Sequence, residues 1–116
     1  MVNYQWKIFW ADLNPVQGSD QAGIRPVLAI SAEEANQSLP IVSILPITSL
    51  RPGRKVYSIE VLLPAKETGL SKDSIAMAHQ IRAISKDRLR EKCGSIESEE
   101  IKESIRNAVK LYLDLE

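Results

Sequence analysis

Residues 98–115 are where this chain most clearly repeats its apolar side chains at helical spacing. Ile101, Ile105, Ala108, Val109, Tyr112 and Leu115 form one stripe there. Ser98 suits an N-cap, and Glu99 and Glu100 fill the first turn, where the helix dipole favours anions. Upstream the apolar residues come in short runs cut by Pro and Gly, which is how strands and turns read. Residues 6–13 are aromatic and β-prone, and residues 26–31 read as a buried strand opened by Pro26. Residues 41–48 form another strand, with Pro46 demoting its far end to an edge or a bulge. Residues 56–63 alternate, with Tyr57, Ile59, Val61 and Leu63 on one face, as a half-buried strand does. Residues 73–84 read as one long strand, with helix also possible near Ala76–Ala78, and residues 93–96 as a last short one, with short helical turns at 32–39 and 86–90. The pattern predicts one mainly β domain over residues 1–116, a small SH3-like barrel with a C-terminal α-helix. The helix stripe must bury against the barrel or against a second subunit.

Composition narrows the function classes. Lys plus Arg is 15 and Asp plus Glu is 15, so the net charge is zero. That argues against broad electrostatic capture of duplex DNA or an anionic membrane, though not against a local basic patch. Cys93 is the one cysteine, which gives no disulfide framework and fits a reducing cytoplasm. One His and one Cys make a structural zinc site an unsuitable reading. No apolar run reaches the ~20 residues a membrane span needs. There is no phosphate-binding glycine loop, nucleophile elbow or paired acidic motif, so no cofactor is expected and any cleavage chemistry is expected to run without a metal.

Three side chains stand out. Arg25 ends the polar loop 16–25 and precedes the apolar run at Pro26, so its base is held and its tip can reach an anion. Position alone does not separate that reading from an ordinary surface arginine. Thr48 ends the second run, in Pro46-Ile47-Thr48-Ser49; its hydroxyl can donate to a phosphate oxygen, but Thr also simply favours strands. His79 is the sole histidine and the one side chain suited to proton transfer at neutral pH without tuning, or else a structural residue. Residues 49–55 are a Pro-Gly loop carrying Arg51, Arg54 and Lys55 with no acid, a solvated turn or a sleeve for a nucleic-acid backbone. Trp6, Phe9, Trp10 and Tyr57 read as core rather than as platforms for bases.

The run Trp10-Ala11-Asp12-Leu13-Asn14-Pro15-Val16-Gln17-Gly18-Ser19, continuing to Gly23-Ile24-Arg25-Pro26-Val27-Leu28, resembles the N-terminal motif of the MazF/PemK toxins. Pro46-Ile47-Thr48-Ser49 resembles their second motif. Gly69-Leu70-Ser71-Lys72-Asp73-Ser74 followed by Gln80-Ile81-Arg82-Ala83-Ile84 resembles their third. The resemblance implies a metal-independent endoribonuclease that cuts single-stranded mRNA at a short sequence, works as a homodimer and is silenced by a cognate antitoxin. It puts Arg25 and Thr48 at the family's main catalytic positions. Some members carry an acid where His79 stands, so His79 is a candidate proton acceptor. Ser19, Gln21, Ser49, Arg51, Arg54, Lys55, Gln80 and Arg82 are candidate RNA contacts. Two departures matter: Trp6-Lys7 replaces the usual Gly-Asp, and Ser19 stands where some branches have histidine. The competing readings are a gyrase poison of the CcdB type on the same barrel, and a non-enzymatic SH3-like interaction module.

Overall fold

The computed structural model describes residues 2–14, 18 and 23–116. Its longest strand, β3 (Ile41–Ser49), is the spine on which the others are hung. On one side β3 pairs antiparallel with β2 (Ile24–Ala29), which pairs with β1 (Lys7–Asp12), which pairs with β7 (Leu89–Ser95). On the other side β3 pairs with both β5 (Ser74–Met77) and β6 (Arg82–Ser85), and β5 continues to β4 (Glu60–Leu63). Short helices α1 (Glu33–Ser38) and α2 (Ala65–Thr68) fill two connections, and α3 (Glu99–Leu113) closes the chain. The mainly β fold with a C-terminal helix expected from the sequence is the one that forms.

Both faces of the central strands are buried, which is why they read as continuous apolar runs. Leu28, Leu45 and Ile47 point into one cluster with Ile8, Leu63, Ile96 and Ile105 of α3. Their neighbours Val27, Val42 and Ile44 point into a second cluster with Phe9, Ala11 and Leu13. The stripe of α3 divides along its length. Ile105 and Ala108 are buried and Ile101 and Val109 half-buried against the barrel, whereas Tyr112 and Leu115 are 45% and 58% exposed. Ser98 caps the helix as expected, its hydroxyl oxygen accepting from the Ile101 N–H at 3.2 Å.

The structure corrects several strand boundaries. Residues 73–84 are two strands, not one, separated by a 3-10 turn at Ala78–Gln80. Ile47 pairs with Ala76 and Ile44 with Arg82, so Leu45 and Pro46 face five partner residues. The surplus leaves the sheet as the turn, and Pro46, which has no N–H to offer a ladder, lies in that gap. Pro46 thus sits inside the spine strand, and the bulge expected of it occurs in the partner. Residues 56–63 shorten to Glu60–Leu63: Val61 and Leu63 are buried as the alternation expects, but Tyr57 is exposed and Glu60 is buried, against it. The last strand starts at Leu89 rather than residue 93.

Candidate active site

β2 places Arg25 at the rim of an open cleft of about 520 Å³. Arg25 pairs across to Ala11 of β1 and is half-buried, so its backbone is fixed by the ladder while its side chain reaches the cleft. Ser49 at the end of β3, Ser74 at the start of β5, and Trp10 of β1 line the same space. The loop Gly69-Leu70-Ser71-Lys72 closes it and brings a second cation. Gly69 takes a φ of +85° to end α2, a conformation that glycine adopts at no steric cost. Gly94 of β7 lies behind it; a Cβ there would meet the Thr68 carbonyl oxygen at 2.6 Å, so only glycine lets β7 approach this wall.

Thr48 is half-buried and pairs with Ile75. The β2–β3 register runs Ala29 to Ile44, Leu28 to Leu45 and Val27 to Pro46. That pairing stops at Val27 and Pro46, two residues short of Arg25 and Thr48, and Thr48 is not in the cleft lining. The cleft lining therefore brings Arg25 and Ser49 together, while Thr48 precedes Ser49 on β3 without entering it. Ser19 and Gln21 lie outside the described residues. The neck of their loop is described: the Gly23 N–H donates to Asn14 Oδ1 at 3.1 Å, and the Leu13 N–H to the Gly23 carbonyl at 3.0 Å. Arg88 Nη1 donates to the carbonyls of both Asp12 and Asn14, at 3.2 and 2.6 Å.

The basic loop is wired more tightly than its composition suggests. Arg54 donates to Glu60 through both terminal nitrogens, at 2.9 and 2.8 Å. The Glu60 side chain is 2% exposed and that of Arg54 30%. Glu60 also accepts from the Tyr57 N–H at 3.1 Å. Arg54, above all, holds the Glu60 carboxyl below the usual carboxylate range, against an upward push from burial. Arg54 is thus committed to Glu60, and the cations that the loop exposes are Arg51 and Lys55, with Lys55 Nζ 5.4 Å from the Tyr57 ring centroid.

His79 does not line the cleft. It rides on the Ala78–Gln80 turn, at the end of β5 opposite Ser74, with its ring set edge-on to Tyr112 of α3 at 6.4 Å. Its Nδ1 is buried without a hydrogen-bond partner among the described residues. Gln80 shares that turn, and Arg82 opens β6 opposite Ile44; both are half-buried. Among the described residues the cleft lining holds no carboxylate and no imidazole, and no three His, Cys, Asp or Glu side chains come together as metal ligands.

The reading from sequence passed over three residues in the lining. Trp10 was read as core, but its neighbours Phe9 and Ala11 both turn inward and leave it at the cleft. Lys72 stood within a quoted motif without a role; its position after Gly69 was the available signal. Cys93 lines the cleft as well, its thiol pushed up by burial and by the Glu91 charge.

A family model of PemK-like, MazF-like toxins of type II toxin–antitoxin systems matches residues 4–113. An endoribonuclease MazF of Staphylococcus saprophyticus is 37% identical over 108 residues, 93% of this chain and 88% of that protein. Endoribonuclease MazF9 of Mycobacterium tuberculosis is 36% identical over 114 residues, 94% of each. The crystal structure of MazF from Deinococcus radiodurans superposes with a TM-score of 0.81 at 24% identity, covering 99% of both chains. A mycobacterial endoribonuclease solved with its cognate antitoxin has a TM-score of 0.77 at 20% identity, covering 99% of this chain and 98% of that one.

Proposed function

The chain belongs to the PemK-like, MazF-like toxins of type II toxin–antitoxin systems and is an endoribonuclease of that kind, and we propose that it cuts single-stranded mRNA in the cleft around Arg25. The observation that supports the assignment is one cleft lined by Arg25, Ser49 and Lys72, with Thr48 next to Ser49 on β3. The RNA supplies the nucleophile. Its 2′-oxygen attacks the adjacent phosphorus, the bond to the 5′-oxygen breaks, and the products are a 2′,3′-cyclic phosphate and a 5′-hydroxyl. Charge builds on the non-bridging oxygens as the fifth bond forms, and donors already aimed there lower the barrier. Arg25 presents a guanidinium with several N–H donors to that charge. Its role is to hold those oxygens and to protonate the departing 5′-oxygen. The Thr48 hydroxyl donates to the same phosphate.

The 2′-hydroxyl proton needs an acceptor. We assign it to His79 of a second copy, since within one chain His79 sits beside α3 rather than in the cleft. The second copy docks through the exposed apolar end of α3. A cognate antitoxin silences the enzyme by covering the cleft, and the reaction takes place in the cytoplasm, where mRNA and a reduced Cys93 coexist.

The test is cleavage of single-stranded RNA in EDTA. Arg25→Ala is expected to lose about 10²–10³-fold in rate with the fold intact, the cost of one preorganised donor on the developing charge. His79→Ala with full rate and an unchanged pH profile removes His79 from the mechanism. Wild-type protein inert on a broad RNA panel, yet inhibiting gyrase, overturns the nuclease reading altogether.

A further inference from the structure

The connection between β3 and β4, residues 50–59, is an exposed excursion with one ion pair at its centre. The Arg54 N–H donates to the Arg51 carbonyl at 3.0 Å, closing a turn in which Gly53 has a φ of +79°. The Glu60 N–H donates to the Tyr57 carbonyl at 2.9 Å, closing a second turn. Between these turns the Glu60 carboxylate gathers three donors, two from Arg54 and one from the Tyr57 backbone. Arg54 Nη1 also donates to the Lys55 carbonyl. A carboxylate this buried is retained at a desolvation cost, and its partners have little freedom to leave it. A single buried acid on the barrel thus sets the course of the whole loop.

That course matters because the loop adjoins the cleft. Residues Leu50 to Arg54 and Asp73 line a groove of about 320 Å³. The Leu50 N–H donates to the Asp73 carbonyl at 2.9 Å, and Asp73 lies between Lys72 and Ser74 of the cleft wall. The Asp73 carboxylate accepts from the Ala65 N–H at 2.8 Å, at the start of α2. Arg51 therefore stands in a groove that adjoins the cleft of Arg25 through neighbours in the chain, Leu50 beside Ser49 and Asp73 between Lys72 and Ser74.

We propose that Glu60 is a positioning residue for the RNA: by clamping Arg54 it fixes the course of loop 50–59, so that Arg51 meets the phosphate of a nucleotide flanking the scissile bond. The proposal rests on the nuclease reading. The clamp removes one cation from the RNA-facing set and makes the site of another definite, so its loss acts on substrate binding and site choice rather than on the bond-breaking step.

Two RNAs separate these effects: a long single strand, and the shortest RNA around the mapped scissile bond that the wild type still cuts. For Glu60→Gln we expect KM on the long RNA to rise about tenfold with kcat within about twofold, and the set of cleaved sequences to broaden. The short RNA is cut at the wild-type rate. Arg54→Lys, which keeps a cation against Glu60 but not the two-pronged contact, shows the same pattern more weakly, and its melting curve checks the fold. Glu60→Gln with wild-type KM and cleavage pattern overturns the proposal. So does an equal loss on both RNAs, which marks a merely structural role; if Glu60→Gln does not fold, Arg54→Lys decides by the same two criteria. A wild type that cuts neither RNA is a failure of the nuclease reading itself, and the wild-type control identifies it as such.

Discussion

Glu33 and Glu60 are the two acids the folded chain handles with the most care. Burial pushes the Glu33 carboxyl up, but donors from the Gln5 backbone, the Gln37 and Asn36 side chains and the Tyr4 backbone together bring it below its ordinary value of 4.5. Glu60 is lowered chiefly by Arg54. In both cases the folded pKa lies below the unfolded one, so the stability they contribute is present above about pH 4.5 and is lost as pH falls through the folded values. The urea midpoint should therefore drop on acidification from about pH 5 to about pH 3. Glu33→Gln should lower the midpoint at neutral pH and flatten that slope, as equilibrium melts at a series of pH values will read. Neither acid was legible in the sequence. Glu60 fell on the expected outward face of an alternating strand, and its burial depends on Arg54, six residues away around two turns. Arg25 and Thr48 stand out in the sequence because one precedes an apolar run and the other ends one, where a side chain leaves the core and its backbone is still fixed.

At the level of elements, periodicity is informative where one partner covers one face, and fails where a strand changes partners. α3 belongs to the first kind: its cap, acidic first turn and stripe are all visible in the sequence, and all form. Ile105 is 1% exposed in the larger core cluster, so Ile105→Ala should destabilise the protein by about 2–4 kcal/mol through lost burial and the cavity left behind. Ser98→Ala should cost about 1 kcal/mol, since it strips the acceptor from the Ile101 N–H. Urea titrations of the two variants check both figures, with the order between them the firmer expectation. β5 and β6 belong to the second kind. Within residues 73–84 helix is also possible near Ala76–Ala78, but nothing in the spacing fixes a break between two strands at Ala78–Gln80. The cause lies on another strand, where β3 offers two residues between its two pairings. The same turn carries His79 away from the cleft and against Tyr112, which spacing along one strand could not indicate.

For the molecule as a whole, zero net charge means that the attraction for RNA we propose is local, resting on Arg25 and Lys72 of the cleft and Arg51 of the adjoining groove. A second site of association is apolar. Leu111, Tyr112, Leu113 and Leu115 are all exposed at the end of α3, and Tyr57 and Leu62 are exposed on and beside β4. Clustered apolar exposure of this kind marks an interaction surface. We expect light scattering to give a dimer that Leu111→Asp converts to a monomer. If the partner's His79 completes each site, inactive Arg25→Ala and His79→Ala chains mixed and reassociated should regain roughly a quarter of the wild-type activity, since half of the dimers then carry one complete site of two. Mixtures that stay inactive place both residues in one chain's reaction, whereas a His79→Ala chain active by itself removes His79 from it. The neck of the loop between β1 and β2 has a different kind of consequence. Its closing bonds run between Asn14, Gly23, Leu13 and Arg88, all on the barrel side. In evolutionary terms that makes the neck a tolerant joint: insertions or substitutions between Asn14 and Gly23 can accumulate without breaking the bonds that close it on the barrel.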